Sequence, residues 1–152
     1  MNIFRSLLIR LGLADLSAKR EPIEILVLDD DESRHRWFRK RFKDDKIEFV
    51  ETVEDAKEAL ENGSFDAIFL DHDLLPHHYG SNDHDDFERT GFAVAEWLTE
   101  NSNLHRAATV IVHTRNADGG LHMVEKLRES GRHAEYVPFP MLSYKIKAYW
   151  DK

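Results

Sequence analysis

The chain has 152 residues, 41% hydrophobic and 33% charged, which suits one domain with a real core better than two independent ones. It has no cysteine, so disulfides, zinc ribbons, iron–sulfur clusters and thiol nucleophiles are excluded, and the expected setting is cytoplasmic. A formal charge of -8, from 21 Lys and Arg against 29 Asp and Glu, opposes broad wrapping of nucleic acid, and no extended duplex binding is expected. No stretch approaches the roughly eighteen consecutive apolar residues of a membrane span. The 9 His, several of them beside carboxylates, direct attention to imidazole and metal chemistry.

Residues 1–16 carry Ile3, Phe4, Leu7, Leu8, Leu11 and Leu16 near helical spacing, with Arg5 and Arg10 between them. This predicts an amphipathic helix packed on the domain or on a second copy, with weak membrane-surface association as the alternative. Residues 1–20 are therefore read as an extension and 21–152 as the domain, and a homodimer or partner contact through the helix is expected. Residues 23–28 (IEILVL) form an apolar strand that runs into Asp29, Asp30 and Asp31, and a helix follows from Glu32 to about Lys43. Residues 47–50 make a second strand, and Thr52 with Asp55 resembles a capping box ahead of Ala56, Ala59 and Leu60. Gly63 and Ser64 break the chain before FDAIFL, a third strand ending in Asp71, His72 and Asp73.

A polar loop from about Leu74 to Arg89 comes next, then a helix opened by Thr90 and Gly91 with Val94, Trp97 and Leu98 on one face. Thr109 to Val112 predicts a fourth strand ending in His113 and Thr114, followed by a helix over 119–130. Glu135 to Phe139 predicts the last strand and Leu142 to Trp150 the last helix. Five strand-then-helix rounds with nearly all-apolar middle strands indicate a parallel sheet covered on both faces, a doubly wound α/β domain.

In such sheets ligands bind outside the carboxyl ends of the strands, where the strand order reverses. Three of those ends are polar here: Asp29, Asp30 and Asp31; Asp71, His72 and Asp73; and His113, Thr114 and Asn116. Crowded carboxylates either take up protons or hold a cation, and oxygen-rich clusters suit Mg²⁺ or Mn²⁺. Asp31 or Ser33 also has a local reading, as the cap of the helix beginning near Glu32.

ILVLDDD, FLDHD and VIVHT resemble the acidic pair, phosphoacceptor aspartate and Ser/Thr of response-regulator receiver domains. The resemblance implies a flavodoxin-like five-stranded sheet of order 2-1-3-4-5, preceded here by the extra N-terminal helical segment. It also implies a divalent ion held by Asp29, Asp30 and Asp71, with Asp71 at the acceptor position. LDDDESRH, LDHDL, TGFAVAEWL and VHTRNADGGLHM are similar, in order and spacing, to the cyclic-phosphate processing receiver domains. That family carries a His in the third-strand DHD and another in the fourth-strand H-[ST]-x-N, positions held here by His72 and His113, with Asn116 following. Ordinary receivers place a Lys before a Pro at the end of the last strand, whereas this chain has Val137 before Pro138.

These parts imply a metal-dependent phosphoesterase acting on a 2′,3′-cyclic phosphate, in an RNA terminus or a small phosphate-containing molecule. Asp29, Asp30 and Asp71 would position the ion, His72 and His113 would share the proton transfers, and Thr114 and Asn116 would donate to the phosphate. The alternative is a signalling receiver, phosphorylated on Asp71 or binding a protein partner. A third reading is a Ni²⁺ or Zn²⁺ scaffold that includes His72 or His113.

The helix ESRHRWFRKRFK carries Arg34, Arg36, Arg39, Lys40, Arg41 and Lys43, expected as a solvated basic face with Trp37, Phe38 and Phe42 toward the core. Arg34 and His35 are also candidates to hold a substrate phosphate. The loop residues His77, His78, Tyr79 and His84, beside Asp83, Asp85 and Asp86, are read as solvated, or alternatively as a second metal site or a cover over substrate. Gly119 and Gly120 form no phosphate-binding pattern and are read as the turn into a helix.

Overall fold

The computed structural model of the protein describes residues 20–74 and 90–151. The helix expected over residues 1–16 and the His-rich loop residues lie outside the described residues.

Five strands alternate with helices. In chain order they are β1 (Glu24–Leu28), α1 (Glu32–Arg41), β2 (Lys46–Val50), α2 (Val53–Asn62), β3 (Ala67–Leu70), α3 (Gly91–Glu100), β4 (Thr109–Val112), α4 (Ala117–Glu129), β5 (Ala134–Tyr136) and α5 (Leu142–Trp150). All strand pairs are parallel, and the order is β2-β1-β3-β4-β5, the flavodoxin-like arrangement. Among the described residues no helix is long and apolar enough to cross a membrane.

Strand alternation sends neighbouring side chains to opposite faces, and that parity divides the core in two. Leu26, Leu28, Ile68, Leu70, Val110 and Val112 point to the layer formed by α2, α3 and α4, where Leu60, Val94, Leu98, Met123 and Leu127 meet them. Ile25, Val27, Ala67, Phe69 and Ile111 point to α1 and α5, against Phe38, Phe42, Leu142 and Ile146. Because both faces are covered, the central strands are apolar throughout and not alternating.

Local chemistry sets the helix starts. The Asp31 side chain caps α1 by accepting from the N–H groups of Ser33 and Arg34, and Thr52 caps α2 through the N–H of Asp55. Buried Arg132 donates to the carbonyls of Leu98, Asn101 and His105, which satisfies the end of α3 and the turn behind it. Several element ends shift by a residue or two from the sequence expectation, and two differences stand out. β5 stops at Tyr136 because Pro138 has no N–H to extend the ladder and instead leads into a 3₁₀ turn, Phe139–Met141. Gly119 and Gly120 lie inside the first turns of α4, which begins at Ala117, so they are not a preceding turn.

α3 starts hard against the end of β3. The N–H of Gly91 donates to the His72 carbonyl at 2.8 Å, and a Cβ on Gly91 would stand 1.7 Å from the Asp71 carbonyl oxygen. Both sides of that clash are backbone, so neither can rotate away. Gly91→Ala is therefore expected to lose about 3 kcal/mol, at the upper end of overpacking costs. Urea midpoints measure this directly, and an unchanged midpoint would contradict so close an approach.

Candidate functional site

The strand order reverses between β1 and β3: the chain leaves β1 toward β2 on one side and β3 toward β4 on the other. That switch point is where open α/β sheets bind ligands. Leu28 pairs with Leu70, and Leu70 with Val112, so the next residues, Asp29, Asp71 and His113, stand side by side just past the sheet. The ladder continues through them, with Asp71 N–H donating to Leu28 O at 2.9 Å and His113 N–H to Leu70 O at 3.0 Å. By parity all three turn to the α1/α5 face.

They form a buried cluster: Asp29 is 0% exposed, Asp71 2% and His113 0%, and one ligand atom from each lies within 4.8 Å of the others. Arg34, also buried, reaches down from α1. Its Nη1 donates to Asp29 Oδ2 at 3.1 Å and to Asp71 Oδ2 at 3.0 Å. His113 Nε2 donates to the same Asp29 Oδ2 at 2.7 Å, so this nitrogen carries a proton. Its Nδ1 is buried and has no partner among the described residues, with the rings of Phe38, Phe69 and Phe139 around the imidazole. The remaining carboxylate oxygens are anchored by backbone: Asp29 Oδ1 accepts from Asp31 N–H at 2.9 Å and Asp71 Oδ1 from His72 N–H at 2.8 Å. His35 Nε2 donates to the Asp29 carbonyl at 2.6 Å, so this histidine braces the strand end from inside.

The two aspartates differ electrostatically. Burial pushes Asp29 up, but the hydrogen bond and charge of His113, the Asp31 N–H and the Arg34 charge outweigh it and hold the carboxyl below its usual range. Asp71 is held above its usual range by burial, with His113 and Arg34 opposing and Asp29 reinforcing the rise. Removing Arg34 would take away the ion-pair partner of buried Asp71 and leave Asp29 to His113, and breaking a buried pair typically costs about 3–5 kcal/mol.

His72 and Thr114 have the opposite parity and turn toward α4. His72 is 6% exposed, and its Nδ1 donates to Asp73 Oδ1 at 2.7 Å, which leaves Nε2 with its lone pair. The Nδ2 of Asn116 approaches the same Nδ1 at 3.4 Å, a weak contact beside the Asp73 bond. The ring lies on Gly119, where a Cβ would come within 2.6 Å of His72 Cδ2 and 2.8 Å of Nε2. Asn116 also caps α4, its Oδ1 accepting from Gly119 N–H at 2.9 Å, and Thr114 Oγ1 accepts from Asn116 N–H at 3.1 Å.

Several sequence expectations change accordingly. His72 and His113 do not face one centre: they sit on opposite faces of the sheet edge because their positions differ in strand parity. Arg34 is no part of a solvated basic face, nor is it free for phosphate, being committed to Asp29 and Asp71. Asp30 stands outside the Asp29–Asp71–His113 group, half-buried at the rim. Asp73 was read only as part of a polar strand end and not as the partner of His72, and Gly119 only as a turn and not as the floor of that ring. The burial of Arg34 does have a sequence signal, since it lies four residues before Phe38 and eight before Phe42, on the apolar stripe of α1.

The two carboxylates at one buried point fit a divalent cation in their chemistry, with the Arg34 guanidinium now meeting the charge that a cation would meet. Sheet order, switch-point acids and polar strand ends together define a receiver-type domain. Comparison with solved structures agrees. The signal receiver domain of a Luxo repressor protein from Vibrio parahaemolyticus is similar with TM-score 0.60 and 21% identity over 84% of this chain and 86% of that one. A CheY-like response regulator receiver domain from Methanospirillum hungatei JF-1 gives TM-score 0.60 and 20% identity over 86% and 95%. The Mn(2+)-bound form of response regulator Rcp1 gives 0.60 and 19% over 85% and 94%. At these identities the likeness is one of fold.

A family model, the cyclic-phosphate processing receiver domain, matches residues 24–129, and the chain belongs to that family. No curated protein matches the chain at a significant level.

Burial, together with the charges of Asp29 and Asp71, pushes Asp30 from 3.8 to about 6. A raised carboxyl favours the neutral form in the folded protein, so its contribution is fully present below the ordinary value and lost as pH rises through about 6. In chelator, Asp30→Asn is expected to flatten the fall in stability of the wild type between roughly pH 4 and 7. Parallel urea midpoints for the two proteins across that window would show that Asp30 titrates normally.

Proposed function

We propose that the protein is a metal-dependent phosphoesterase that opens cyclic phosphates, with 2′,3′-cyclic phosphate ends of RNA or 2′,3′-cyclic nucleotides as substrates. The observation that supports this most is the His72–Asp73 pair, an imidazole with its tautomer fixed at 2.7 Å, next to Asp71 at the switch point. A domain that only stores a phosphoryl group has no use for an oriented base there, and Val137 takes the place of the lysine that ordinary receivers carry.

In this reading His72 Nε2 takes a proton from the attacking water as its oxygen bonds to phosphorus. The bond from phosphorus to one ribose oxygen breaks, its electron pair stays on that oxygen, and His72 returns the proton there to leave a phosphate monoester. Asp73 positions the imidazole and stabilises its charged form. The Asn116 amide donates to a non-bridging oxygen, with Thr114 holding the Asn116 backbone. His113, wholly buried, is a positioning residue for Asp29 and takes no part in proton transfer to substrate. A divalent ion, Mg²⁺ or Mn²⁺, bound through Asp29 and Asp71 would supply Lewis-acid polarisation of the phosphate.

A second reading, phosphorylation of Asp71 in a signalling receiver, is favoured by the position of that carboxylate at the end of β3 beside Asp29. Phosphorus NMR separates the two readings. Purified protein with a 2′,3′-cyclic nucleotide and with a cyclic-phosphate-ended oligonucleotide is expected to open the ring with Mg²⁺ or Mn²⁺ and not with chelator. His72→Gln should slow this by roughly 10²–10⁴-fold, the usual worth of a general acid–base group. No ring opening with either metal, together with acetyl phosphate labelling of Asp71, would replace the enzyme by the receiver.

A further inference from the structure

The acidic pair is already occupied by the chain's own cation. Asp29 Oδ1 and Asp71 Oδ1 accept from the N–H groups of Asp31 and His72, so the inward oxygens are the two Oδ2 atoms, of which that of Asp29 also accepts from His113 Nε2 at 2.7 Å. Both of these already accept from the one nitrogen, Arg34 Nη1, at 3.1 and 3.0 Å. A divalent ion held by Asp29 and Asp71 would meet the guanidinium there, two positive charges in a buried space.

We infer that Arg34 is the resident counter-ion of the pair, and that a divalent cation and the Arg34 guanidinium occupy the site alternately. The single charge of Arg34 balances one carboxylate and a divalent ion balances both, so the ion displaces the guanidinium once its concentration suffices. The structure also offers a place for the displaced group. Arg34 Nε lies 3.8 Å from Asp31 Oδ2, on a side chain 42% exposed at the mouth of the site. Asp31 Oδ1 is committed to capping α1, which leaves Oδ2 available. The guanidinium rests over the half-buried Phe139 ring, 5.4 Å from its centroid, so it pivots toward Asp31 across an apolar surface while the α1 backbone stays in place. The inference concerns cation binding alone, and a protein inactive on cyclic phosphates leaves it standing.

Calorimetric titration of the wild type and Arg34→Met with MgCl₂ and MnCl₂ tests it. The variant is expected to bind either ion about tenfold more tightly, as it should if only about one wild-type molecule in ten has the guanidinium out. It should also lose thermal stability in chelator and regain it with the metal. Equal or weaker binding by Arg34→Met, or no saturable binding by either protein, would overturn the inference. Should Arg34→Met not fold, the wild type answers alone through the Nε–Hε cross-peak of Arg34, assigned by its loss in Arg34→Lys. That peak is expected to move with Mg²⁺ in step with the Asp29 amide; a peak unmoved at saturation would overturn the inference equally.

Discussion

Asp29 and Asp71 end adjacent parallel strands, and parallel pairing in register forces their carboxylates together in a place with little water. Two like charges so placed need a cation, and Arg34 supplies one nitrogen to both. Much else at this edge follows from that bond. α1 must begin where Arg34 can reach down, which the Asp31 cap ensures, and Phe38 and Phe42 on the same stripe anchor the helix to the sheet. His113 adds a second donor to Asp29, and His35 fixes the carbonyl of the same residue.

The other face of the edge is built differently. There the polar groups are not neutralising one another: His72 is oriented by Asp73, floored by Gly119 and approached by Asn116 at the start of α4. A strand edge in a covered parallel sheet thus presents two arrangements, a carboxylate pair held by Arg34 toward α1 and the His72–Asp73 pair toward α4. They are joined through the backbone, where the N–H of His72 anchors Asp71.

The layout of the domain was legible because the apolar runs of β1, β3 and β4 stop at polar residues and three helix starts are marked in the sequence, by Asp31, Thr52 and Thr90. The acids and histidines of the site were legible for the same reason, being the residues on which the strands end. Their grouping was not read correctly, although parity held the answer: residues 29, 71 and 113 are register neighbours on one face, while 72 and 114 belong to the other. Arg34 was hidden by composition, one basic residue among six on a helix, and only its spacing from Phe38 and Phe42 marked it as inward. The closeness of Gly91 to Asp71 and of Gly119 to His72 depends on how α3 and α4 dock, a tertiary fact that no local pattern encodes.

We propose that this edge, between β1, β3 and β4, is where the protein binds a divalent cation. Paramagnetic broadening of amide resonances by substoichiometric Mn²⁺ in the wild-type protein locates the ion directly. The account expects the amides of Asp29, Asp30, His72 and Thr114 to broaden first, while Glu24, Ala67 and Thr109 at the far ends of the same strands stay sharp. Broadening centred on exposed acids such as Glu51 and Glu54, or spread evenly over the surface, would contradict it.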